Sequence, residues 1–319
     1  MKTVTIGKND AGQRVDKFLA KAFRSLPATV MYKEIRKKNI KLNGKRCEIS
    51  TRLAEGDVLA LYVKDEFLEE AAPVYDFLAA GKKLNIVYED ENLLLLNKEA
   101  GLLVHPDERE YRDTLIGRVQ RYLYEKGEYR PEEENSFTPA LVNRIDRNTC
   151  GIVMAAKNAE ALRILNERLK SREIHKFYLC VVSGKMPKRE ETLTAYLEKN
   201  ESQNRVYISD KARTGARTIV TRYRVLEERA GMSLLEIALL TGRTHQIRAH
   251  LSSIGHPLLG DGKYGTNAQN RGSGFGNRQA LCSYKLSFHF TTPAGALEYL
   301  NGRTYEIDDA WFLPVFYGK

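Results

Sequence analysis

The sequence has few cysteines and no long apolar segment. Its 319 residues include four cysteines, which lie far apart and form no Cys-x-x-Cys pair, so neither a zinc site nor a disulfide framework is indicated. The densest apolar run, residues 93–96, is far too short to span a bilayer. The first residues also lack the apolar segment of a signal peptide. We therefore expect a reduced, cytoplasmic protein that contains no metal and binds no membrane.

Several motifs of common enzyme classes are missing as well. His245 and His250 have no glutamate between them and do not form a His-Glu-x-x-His zinc motif. The glycines from Gly260 onward precede no apolar helix, which argues against a dinucleotide fingerprint, and no Gly-Lys-Ser/Thr phosphate loop occurs. Zinc-dependent hydrolysis, dinucleotide binding and nucleoside triphosphate binding are therefore not indicated.

The chain does have a core-forming composition and an uneven distribution of charge. Apolar residues make up 42% of it, and its length suits a catalytic domain plus a small accessory one. Residues 1–65 carry 15 Lys and Arg against 7 Asp and Glu, so they hold most of the net charge of +10. Clustered positive charge favours a polyanionic partner such as nucleic acid, and the alternative is a solvated basic surface.

Residues 12–62 are predicted to form one small unit that begins with a helix. Apolar residues recur at helical spacing over residues 15–23. Asp16 and Lys17 are expected on the other face of this helix, which should end before Pro27.

A basic helix and a hairpin are predicted to complete this unit. The helix is expected over residues 31–38, which contain four Lys and Arg. The pair Asn43-Gly44 then predicts a tight hairpin turn, and a last strand is expected over residues 58–63.

The segment 64–84 is predicted to be a linker, because it begins with a cluster of acidic residues and contains Pro73 and Gly81. Two strands joined by a hairpin turn are predicted at residues 84–88 and 93–96. A helix is expected over residues 113–126, and a polar loop should follow it.

The most informative stretch, residues 143–151, places Asp146 between two arginines on a predicted tight bend. Apolar runs on either side, residues 140–142 and 152–156, predict two buried strands. Because a buried acid is costly without a cationic partner, an acid kept at such a joint is a candidate functional group. The alternative is an ordinary turn or helix-capping aspartate.

The following residues predict a capped helix and three strands. Asn158 is expected to cap a helix that runs to Ser171. The strands are predicted at residues 174–183, 218–227 and 232–240.

A short helix is predicted after Gly242, with Ile247, Leu251 and Ile254 on its buried side. The glycine-rich residues 260–276 predict a mobile loop.

Four separated stretches resemble the RluA-type RNA pseudouridine synthases. Residues 143–151, N-R-I-D-R-N-T-C-G, are similar to that family's active-site motif H-R-L-D-x-x-T-S-G, with Asn143 in place of histidine and Cys150 in place of serine. The other three stretches are residues 97–106, 176–184 and 241–250, in the family's order. The helices and hairpin of residues 12–62 resemble the S4 domain, a small RNA-binding unit.

The resemblance implies an α+β fold, in which a mixed, mostly antiparallel sheet with flanking helices follows a small N-terminal α/β RNA-binding domain. It places the S4-like domain at residues 1–63, the linker at 64–84 and the catalytic domain at 85–319. It further implies an isomerase that flips uridines out of structured RNA, converts them to pseudouridine and needs no cofactor. Large-subunit ribosomal RNA is favoured as the partner over transfer RNA, and a monomer is expected.

Three catalytic residues are implied by the resemblance. Asp146 would act on the target uridine, Arg248 would form a salt bridge with its carboxylate, and Tyr178 would lie against the target base. Alternation places Lys176, Tyr178 and Cys180 on one face of their predicted strand. Without the resemblance, Tyr178 is also typical of an ordinary core position and Arg248 of a helix surface.

Further residues are implied to contact RNA. Arg144 would fill the space that the everted nucleotide leaves, and the alternative is a phosphate contact. The other residues expected at RNA are Asn143, Lys176, Arg243 and His245 near the catalytic residues, and Arg36, Lys37, Lys38, Lys41 and Lys45 in the S4-like unit. The alternative for the basic residues of that unit is that they only keep it soluble.

Two other functions are compatible with the sequence. One is a non-catalytic RNA-binding ribosome-assembly factor that keeps the fold. Asn143 supports this function if the histidine that it replaces moves protons in the family. If that histidine only shapes the turn or contacts RNA, asparagine can replace it. A glycosidase for free nucleosides would leave the basic N-terminal residues unexplained.

Overall fold

The computed structural model describes residues 1–68, 75–108, 110–200, 202–203 and 205–318. Its strands form two sheets, one of four strands near the N-terminus and one of eleven strands in the remainder. No helix in these ranges is long and apolar enough to cross a membrane.

The N-terminal unit combines the smaller sheet with two helices. Its elements are β1 (Lys2–Thr5), α1 (Val15–Ala22), α2 (Ala28–Arg36), β2 (Ile40–Leu42), β3 (Lys45–Arg46) and β4 (Val58–Leu61). The strands lie in the order β1-β4-β2-β3 and pair antiparallel. The helices and the hairpin lie close to their predicted positions, whereas β1 was not predicted.

The hairpin turn at Asn43 and Gly44 is confirmed. Both residues have positive φ angles, 52° and 73°, as a type I′ turn requires. The Asn43 side chain stabilises the turn, because its Oδ1 accepts a hydrogen bond of 2.8 Å from the backbone amide of Val58.

The prediction that Asp16 lies on the open face of α1 is wrong. Asp16 is buried, and Arg14 donates two hydrogen bonds of 3.0 Å to its carboxylate. This guanidinium covers the acid and neutralises it, so spacing alone does not predict its burial.

The larger unit is built on the eleven-stranded sheet. Its strands are β5 (Ile86–Glu89), β6 (Leu93–Lys98), β7 (Ala140–Leu141), β8 (Cys150–Ala156), β9 (Ile174–Ser183), β10 (Glu190–Asn200), β11 (Arg205–Ser209), β12 (Arg217–Arg229), β13 (Met232–Leu239), β14 (Leu281–Phe288) and β15 (Thr304–Glu306). Its helices are α3 (Leu115–Lys126), α4 (Ala159–Lys170), α5 (Gln246–Ser253), α6 (Asn267–Asn270) and α7 (Leu313–Tyr317). Strand β9 has its predicted bounds, and Asn158 caps α4 as predicted, accepting from the Ala161 amide at 2.8 Å.

The main path of this sheet runs β11-β10-β12-β13-β9-β14-β8-β6-β5, while β15 pairs with β14 and β7 pairs with β8. In the described part of the sheet, β14 and β8 pair in parallel and the other pairs are antiparallel. The predicted fold class, α+β with a mixed and mostly antiparallel sheet, is therefore confirmed.

Apolar side chains cover both faces of the sheet. One core contains Leu179 and Val181 of β9 and is closed by α4 and the C-terminal residues. The other contains Tyr178 and Cys180 and is closed by α3 and α5. The predicted alternation along β9 therefore holds, and it places Tyr178 on the face that α5 covers.

The later half of the predicted linker packs on the larger unit. A 3-10 helix, Asp76–Ala79, buries Phe77 against α3. Glu69, Glu70 and Pro73, which contributed to the linker prediction, lie outside the described residues. The boundaries of the two domains stay predictions.

Polar contacts join the N-terminal unit to the larger one. The buried carboxylate of Asp10 accepts hydrogen bonds from Asn135 Nδ2 at 2.7 Å and Ser136 Oγ at 2.5 Å. Asn9 Oδ1 accepts from the backbone amide of Ala159 at the start of α4, at 3.1 Å. These contacts fix how the N-terminal unit is oriented relative to the sheet.

One prediction for the C-terminal half is wrong. Ile254 is 37% exposed, because α5 ends at Ser253 and the chain turns away there. Within residues 260–276, Asp261, Tyr264 and Phe275 are buried, and the mobility of this loop stays a prediction. Strands β10, β11, β14 and β15 were not predicted.

Candidate active site

Asp146 lies in a short turn between β7 and β8. The backbone amide of Thr149 donates to the carbonyl of Asp146 at 3.1 Å and closes this turn, which confirms the predicted tight bend. The Thr149 hydroxyl accepts from Gln279 Nε2 at 2.7 Å, so the turn is also tied to the segment before β14. The backbone and the side chain of Thr149 therefore both help to fix the backbone that carries the carboxylate.

Lys98 holds the same turn from the other side. This buried ammonium group donates to the carbonyls of Glu99, Leu102 and Arg147 at 2.8 to 2.9 Å. Burial lowers the pKa of Lys98 to about 8. In the charged form, three carbonyl acceptors satisfy the three protons of the ammonium group. Lys98 thus connects the loop after β6 to the residue that follows Asp146.

Gly151 is the residue that lets β8 approach β14 directly after the turn. Its φ is 110°, and a Cβ at this position would lie 2.2 Å from the Ser283 carbonyl oxygen. Any side chain would collide with the backbone of β14 here, so this position of the motif requires glycine.

Asn143 stabilises the start of the turn. Its Oδ1 accepts a hydrogen bond of 2.8 Å from the backbone amide of Met154 in β8. Its Nδ2 is buried at the cleft and has no hydrogen-bond partner among the residues described. The oxygen of this amide therefore supports the fold, and the expected contact of Asn143 with RNA stays a prediction.

Arg248 joins two carboxylates. Its Nη1 donates to Asp146 Oδ2 at 2.8 Å, while its Nε and Nη2 donate to Asp261 at 2.7 and 2.9 Å. Burial opposes the charge of the guanidinium, but Asp261 and Asp146 outweigh burial and raise the pKa of Arg248 above its usual value. The structure therefore brings Asp146 and Arg248 together, as the sequence predicted.

Asp261 was missed by the sequence prediction. It is 1% exposed, and although burial by itself raises the pKa of Asp261, the hydrogen bonds and charge of Arg248 lower it overall. Its Oδ1 also accepts from the backbone amides of Lys263 and Tyr264. The signal in the sequence was an acid directly after the apolar pair Leu258-Leu259 and Gly260, inside the segment predicted to be mobile.

Tyr178 lines the same cleft from β9. It is buried, and this burial raises the pKa of Tyr178 to about 12, with a smaller contribution from the charge of Asp146. At neutral pH the side chain is a phenol, which can pack against a base and donate a hydrogen bond.

His245 faces Asp146 from the residue before α5. Its Nε2 lies 3.8 Å from Asp146 Oδ2, and its Nδ1 lies 2.9 Å from the hydroxyl of Tyr264. Burial is the main cause that lowers the pKa of His245 to about 4, so the imidazole is neutral at pH 7.

Asp146, Arg248, Tyr178 and His245 line one cleft of about 310 Å³. Among the residues predicted at RNA, Asn143, Arg144, Lys176, Arg243 and His245 all line it. Arg144 and Arg243 are exposed, and Lys176 is half-buried, which lowers its pKa. In the described ranges no carboxylate pairs with Lys176, so the cleft has cationic groups left for an anionic ligand.

The basic residues of the N-terminal unit do not line this cleft. Arg36, Lys37, Lys38 and Lys45 are exposed around the end of α2 and the β2–β3 hairpin. Lys41 is half-buried, with Nζ 5.4 Å from the centre of the Tyr62 ring. They form a separate basic surface, and their contact with RNA stays a prediction.

Residues 1–68, 75–108, 110–200, 202–203 and 205–318 contain no group of three or more His, Cys, Asp or Glu that could hold a metal ion. A cleft lined by basic residues, together with a separate basic surface on the N-terminal unit, is typical of a protein that binds nucleic acid.

The family model for RNA pseudouridylate synthases matches residues 92–253, and the model for the S4 domain matches residues 13–59. The chain belongs to the RNA pseudouridylate synthase family and is an isomerase of that type. The resemblance read from the four motifs and from the N-terminal unit is thereby confirmed.

Curated relatives agree with this assignment. The ribosomal large subunit pseudouridine synthase C of Vibrio vulnificus is 31% identical over 91% of this chain and 89% of its own length. The protein of the same name from Escherichia coli is 32% identical over 90% of this chain and 88% of its own length.

Solved structures share the fold. The human RNA pseudouridylate synthase domain containing 1 aligns with a TM-score of 0.56 and 23% identity, covering 77% of this chain and 89% of its own. The human domain containing 4 protein aligns with a TM-score of 0.57 and 19% identity, covering 73% of this chain and 92% of its own. At these identities the likeness shows the fold alone.

Proposed function

We propose that this enzyme converts uridine to pseudouridine in large-subunit ribosomal RNA, and that Asp146 is the carboxylate that acts on the target nucleotide. The observation that carries the proposal is the ion pair of Asp146 and Arg248 inside the basic cleft. The choice of RNA is supported by the printed names of the relatives, which are pseudouridine synthases of the ribosomal large subunit.

The two oxygens of Asp146 have different environments. Oδ2 is bound by Arg248 and faced by His245. For Oδ1, no hydrogen-bond donor is present in the described part of the chain, and the side chain is 25% exposed. Oδ1 is therefore the oxygen that reaches the substrate, while Arg248 holds the carboxylate in one orientation.

The reaction needs no group from outside the protein and the RNA. The bond between N1 of uracil and C1′ of the ribose breaks with the help of Asp146. The uracil rotates in the cleft, C5 bonds to C1′, and the proton that leaves C5 is replaced by one taken up at N1. No electron is gained or lost, so no cofactor is required.

Tyr178 and Lys176 hold the nucleotide while this happens. The phenol of Tyr178 lies on the wall of the cleft and packs against the detached base. Lys176 lies two residues earlier on the same face of β9, where its ammonium group binds a phosphate. The contact with Tyr178 keeps the detached uracil in the cleft while it rotates, and the contact with Lys176 holds the ribose that the uracil bonds to again.

Base flipping brings the uridine into the cleft. Extruding a stacked nucleotide costs a few kcal/mol, so a side chain that fills the vacated space lowers the cost. Arg144 is exposed at the cleft two residues before Asp146, and its planar guanidinium can stack on bases and bind phosphates. Arg144 therefore takes the place of the everted base. The S4 domain binds the RNA at a distance from this cleft.

The replacement of the family histidine by Asn143 does not remove a reacting group. Asn143 Oδ1 holds the Met154 amide, which is a structural role that either residue type can fill. The carboxylate and the guanidinium next to it remain paired. We therefore prefer a catalytic function to that of an assembly factor without activity.

The proposal is tested by mapping pseudouridines in total RNA from a strain that lacks this gene. We expect large-subunit ribosomal RNA to lose one or more pseudouridines. Wild type and Asp76→Asn, an exposed acid of the 3-10 helix, should restore them, whereas Asp146→Asn should not. A loss confined to transfer RNA would overturn the substrate, and rescue by Asp146→Asn would overturn the role of Asp146.

A further inference from the structure

His245 is held in an unusual backbone conformation beside Asp146. Its φ is 53°, in the left-handed region, which costs a residue other than glycine about 1–2 kcal/mol. The neighbouring Gln246 fixes this turn, because its Oε1 accepts from the Arg243 amide and its Nε2 donates to the Val220 carbonyl. The fold thus keeps the imidazole over the cleft despite the strain.

Tyr264 lies behind His245. The guanidinium groups of Arg248 and Arg205 each lie 5.2 Å from the centre of its ring. Its hydroxyl accepts a hydrogen bond of 3.0 Å from the backbone amide of Val206 in β11. The same hydroxyl lies 2.9 Å from His245 Nδ1.

These contacts determine which nitrogen of His245 carries the proton. A phenolic hydroxyl has one proton to donate, and the amide of Val206 can only be a donor to it. In the part of the chain that the structure describes, His245 Nδ1 is the acceptor within reach of this proton. Because the buried hydroxyl needs an acceptor, Nδ1 is unprotonated and the neutral ring carries its proton on Nε2.

The Nε2–H group points toward the reacting carboxylate but does not bind it. Its distance of 3.8 Å from Asp146 Oδ2 exceeds that of a hydrogen bond, and Arg248 already binds this oxygen. His245 lines the cleft, and Nε2 is the ring nitrogen that faces Asp146, so its donor is on the side where the substrate binds.

We propose that His245 is a catalytic residue that donates a hydrogen bond from Nε2–H to an oxygen of the everted nucleotide, and that Tyr264 is the positioning residue that fixes this tautomer. The proposal rests on the proposed function, because the ligand is the nucleotide on which Asp146 acts. Uridine offers carbonyl and ribose oxygens as acceptors, which a fixed N–H donor suits. The opposite tautomer would present a lone pair to these oxygens and repel them.

The tautomer is measured directly by nitrogen-15 NMR of the imidazoles in the full-length protein, without RNA, at pH 7. The chain has six histidines, and the signal missing from His245→Gln identifies His245. We expect a protonated Nε2 and an unprotonated Nδ1 in the wild type, and a mixture of tautomers in Tyr264→Phe. A protonated Nδ1 in the wild type, or an unchanged signal in Tyr264→Phe, would overturn the proposal.

The second test measures kcat/KM of the variants on the RNA that the mapping experiment identifies. Loss of one hydrogen bond lowers kcat/KM by roughly 3–10-fold, and we expect this loss for His245→Ala and for Tyr264→Phe. His245→Gln, which keeps an N–H donor near the position of Nε2, should lose less kcat/KM than His245→Ala. Thermal unfolding checks that each variant is folded. A folded His245→Ala with wild-type kcat/KM would contradict contact with the nucleotide.

The two proposals can fail separately. If the wild type forms pseudouridine and Asp146→Asn does not, the proposed function holds whatever the imidazole signals show. If the tautomer is as expected but the wild type forms no pseudouridine in large-subunit RNA, the geometry of His245 holds and its proposed ligand is wrong.

Discussion

Arg248 donates two parallel hydrogen bonds to the buried carboxylate of Asp261, at 2.7 and 2.9 Å. This pairing leaves the third nitrogen, Nη1, directed at Asp146. A planar guanidinium with two nitrogens bound to one carboxylate cannot rotate freely. Its remaining nitrogen can therefore hold a second carboxylate in a defined place. The orientation of Asp146 therefore depends on an acid 115 positions away in the chain.

Replacing Asp261 by asparagine tests this dependence. The change leaves a buried guanidinium without its full counter-charge, so the free energy of unfolding should fall by on the order of 3 kcal/mol. The rate of pseudouridine formation should fall as well, because Arg248 can then rotate. Denaturant unfolding and single-turnover kinetics measure the two effects.

The matched control for this change is Glu190→Gln. Glu190 pairs with Arg222 on the surface of the sheet, where both side chains are about half exposed. Loss of such a pair costs less than about 1 kcal/mol. If Asp261→Asn behaved like Glu190→Gln in both assays, Asp261 would not position Arg248.

Asn143 provides a second prediction. Asn143→Ala leaves the buried Met154 amide without its acceptor and should destabilise the protein by about 1–3 kcal/mol. Asn143→His restores the residue of the family motif and can accept from the same amide through Nδ1, so stability and kcat should stay near wild type. A large increase of kcat in Asn143→His would instead show that the family histidine moves protons, and that this chain has lost that step.

The parts of this structure that the sequence predicted depend on local signals. The Asn43-Gly44 turn and the Asn158 helix cap each follow from the conformational preferences of one or two residues. Strand β9 follows from the apolar residues that make up most of its length. The pairing of Asp146 with Arg248 was predicted from motifs, since no spacing rule relates residues 102 positions apart.

The parts that were missed depend on contacts between distant residues. Asp261 looked like part of a glycine-rich loop, and its burial becomes evident only when Arg248 is placed beside it. The hydroxyl of Tyr264 meets Val206 across 58 positions, on a strand that the sequence did not predict. Asp16 was placed on the wrong face of its helix because the covering residue, Arg14, lies outside the helical pattern.

The basic surface of the S4 domain should determine how RNA binding depends on salt. If Lys41 and Lys45 each neutralise a phosphate, the double alanine variant should reduce the slope of log K against log salt by about 1.5, since each contact contributes about 0.7–0.9. Electrophoretic mobility or filter binding at several salt concentrations measures this slope.

A double alanine variant of Lys185 and Lys188 is the control with the same change of charge. Both residues are exposed just beyond the end of β9, whereas Lys176 and Tyr178 lie near its beginning. We expect this control to keep the wild-type slope. Equal slopes for all three proteins would show that Lys41 and Lys45 do not contact phosphate.

The protein should lose stability in mild acid through His250. Burial lowers the pKa of His250 to about 4, against an ordinary value of 6.5, and the charge of Asp210 offsets only part of this effect. Because the folded-state pKa lies below the unfolded value, the unfolded chain binds the proton first as the pH falls. Stability is therefore present above about pH 6.5 and is lost between pH 6.5 and 4.

The variant His250→Gln removes this titration. Between pH 7 and pH 5 it should lose about 1–2 kcal/mol less stability than the wild type, measured by denaturant unfolding at both pH values. His289→Gln, which changes an exposed ring, should follow the wild-type profile. An acid-induced loss in His250→Gln equal to that of the wild type would mean that His250 does not limit stability in acid.

The most direct test of the account is the yield of pseudouridine from Asp146→Asn. The variant keeps the shape of the side chain and removes its charge, so it should bind a large-subunit ribosomal RNA transcript within about threefold of the wild-type affinity, an effect below about 1 kcal/mol. The measurement is the pseudouridine content of that transcript after incubation with saturating protein, determined by nucleoside chromatography. We expect pseudouridine with the wild type and none with Asp146→Asn, whereas equal yields from the two proteins would show that Asp146 does not act on the nucleotide.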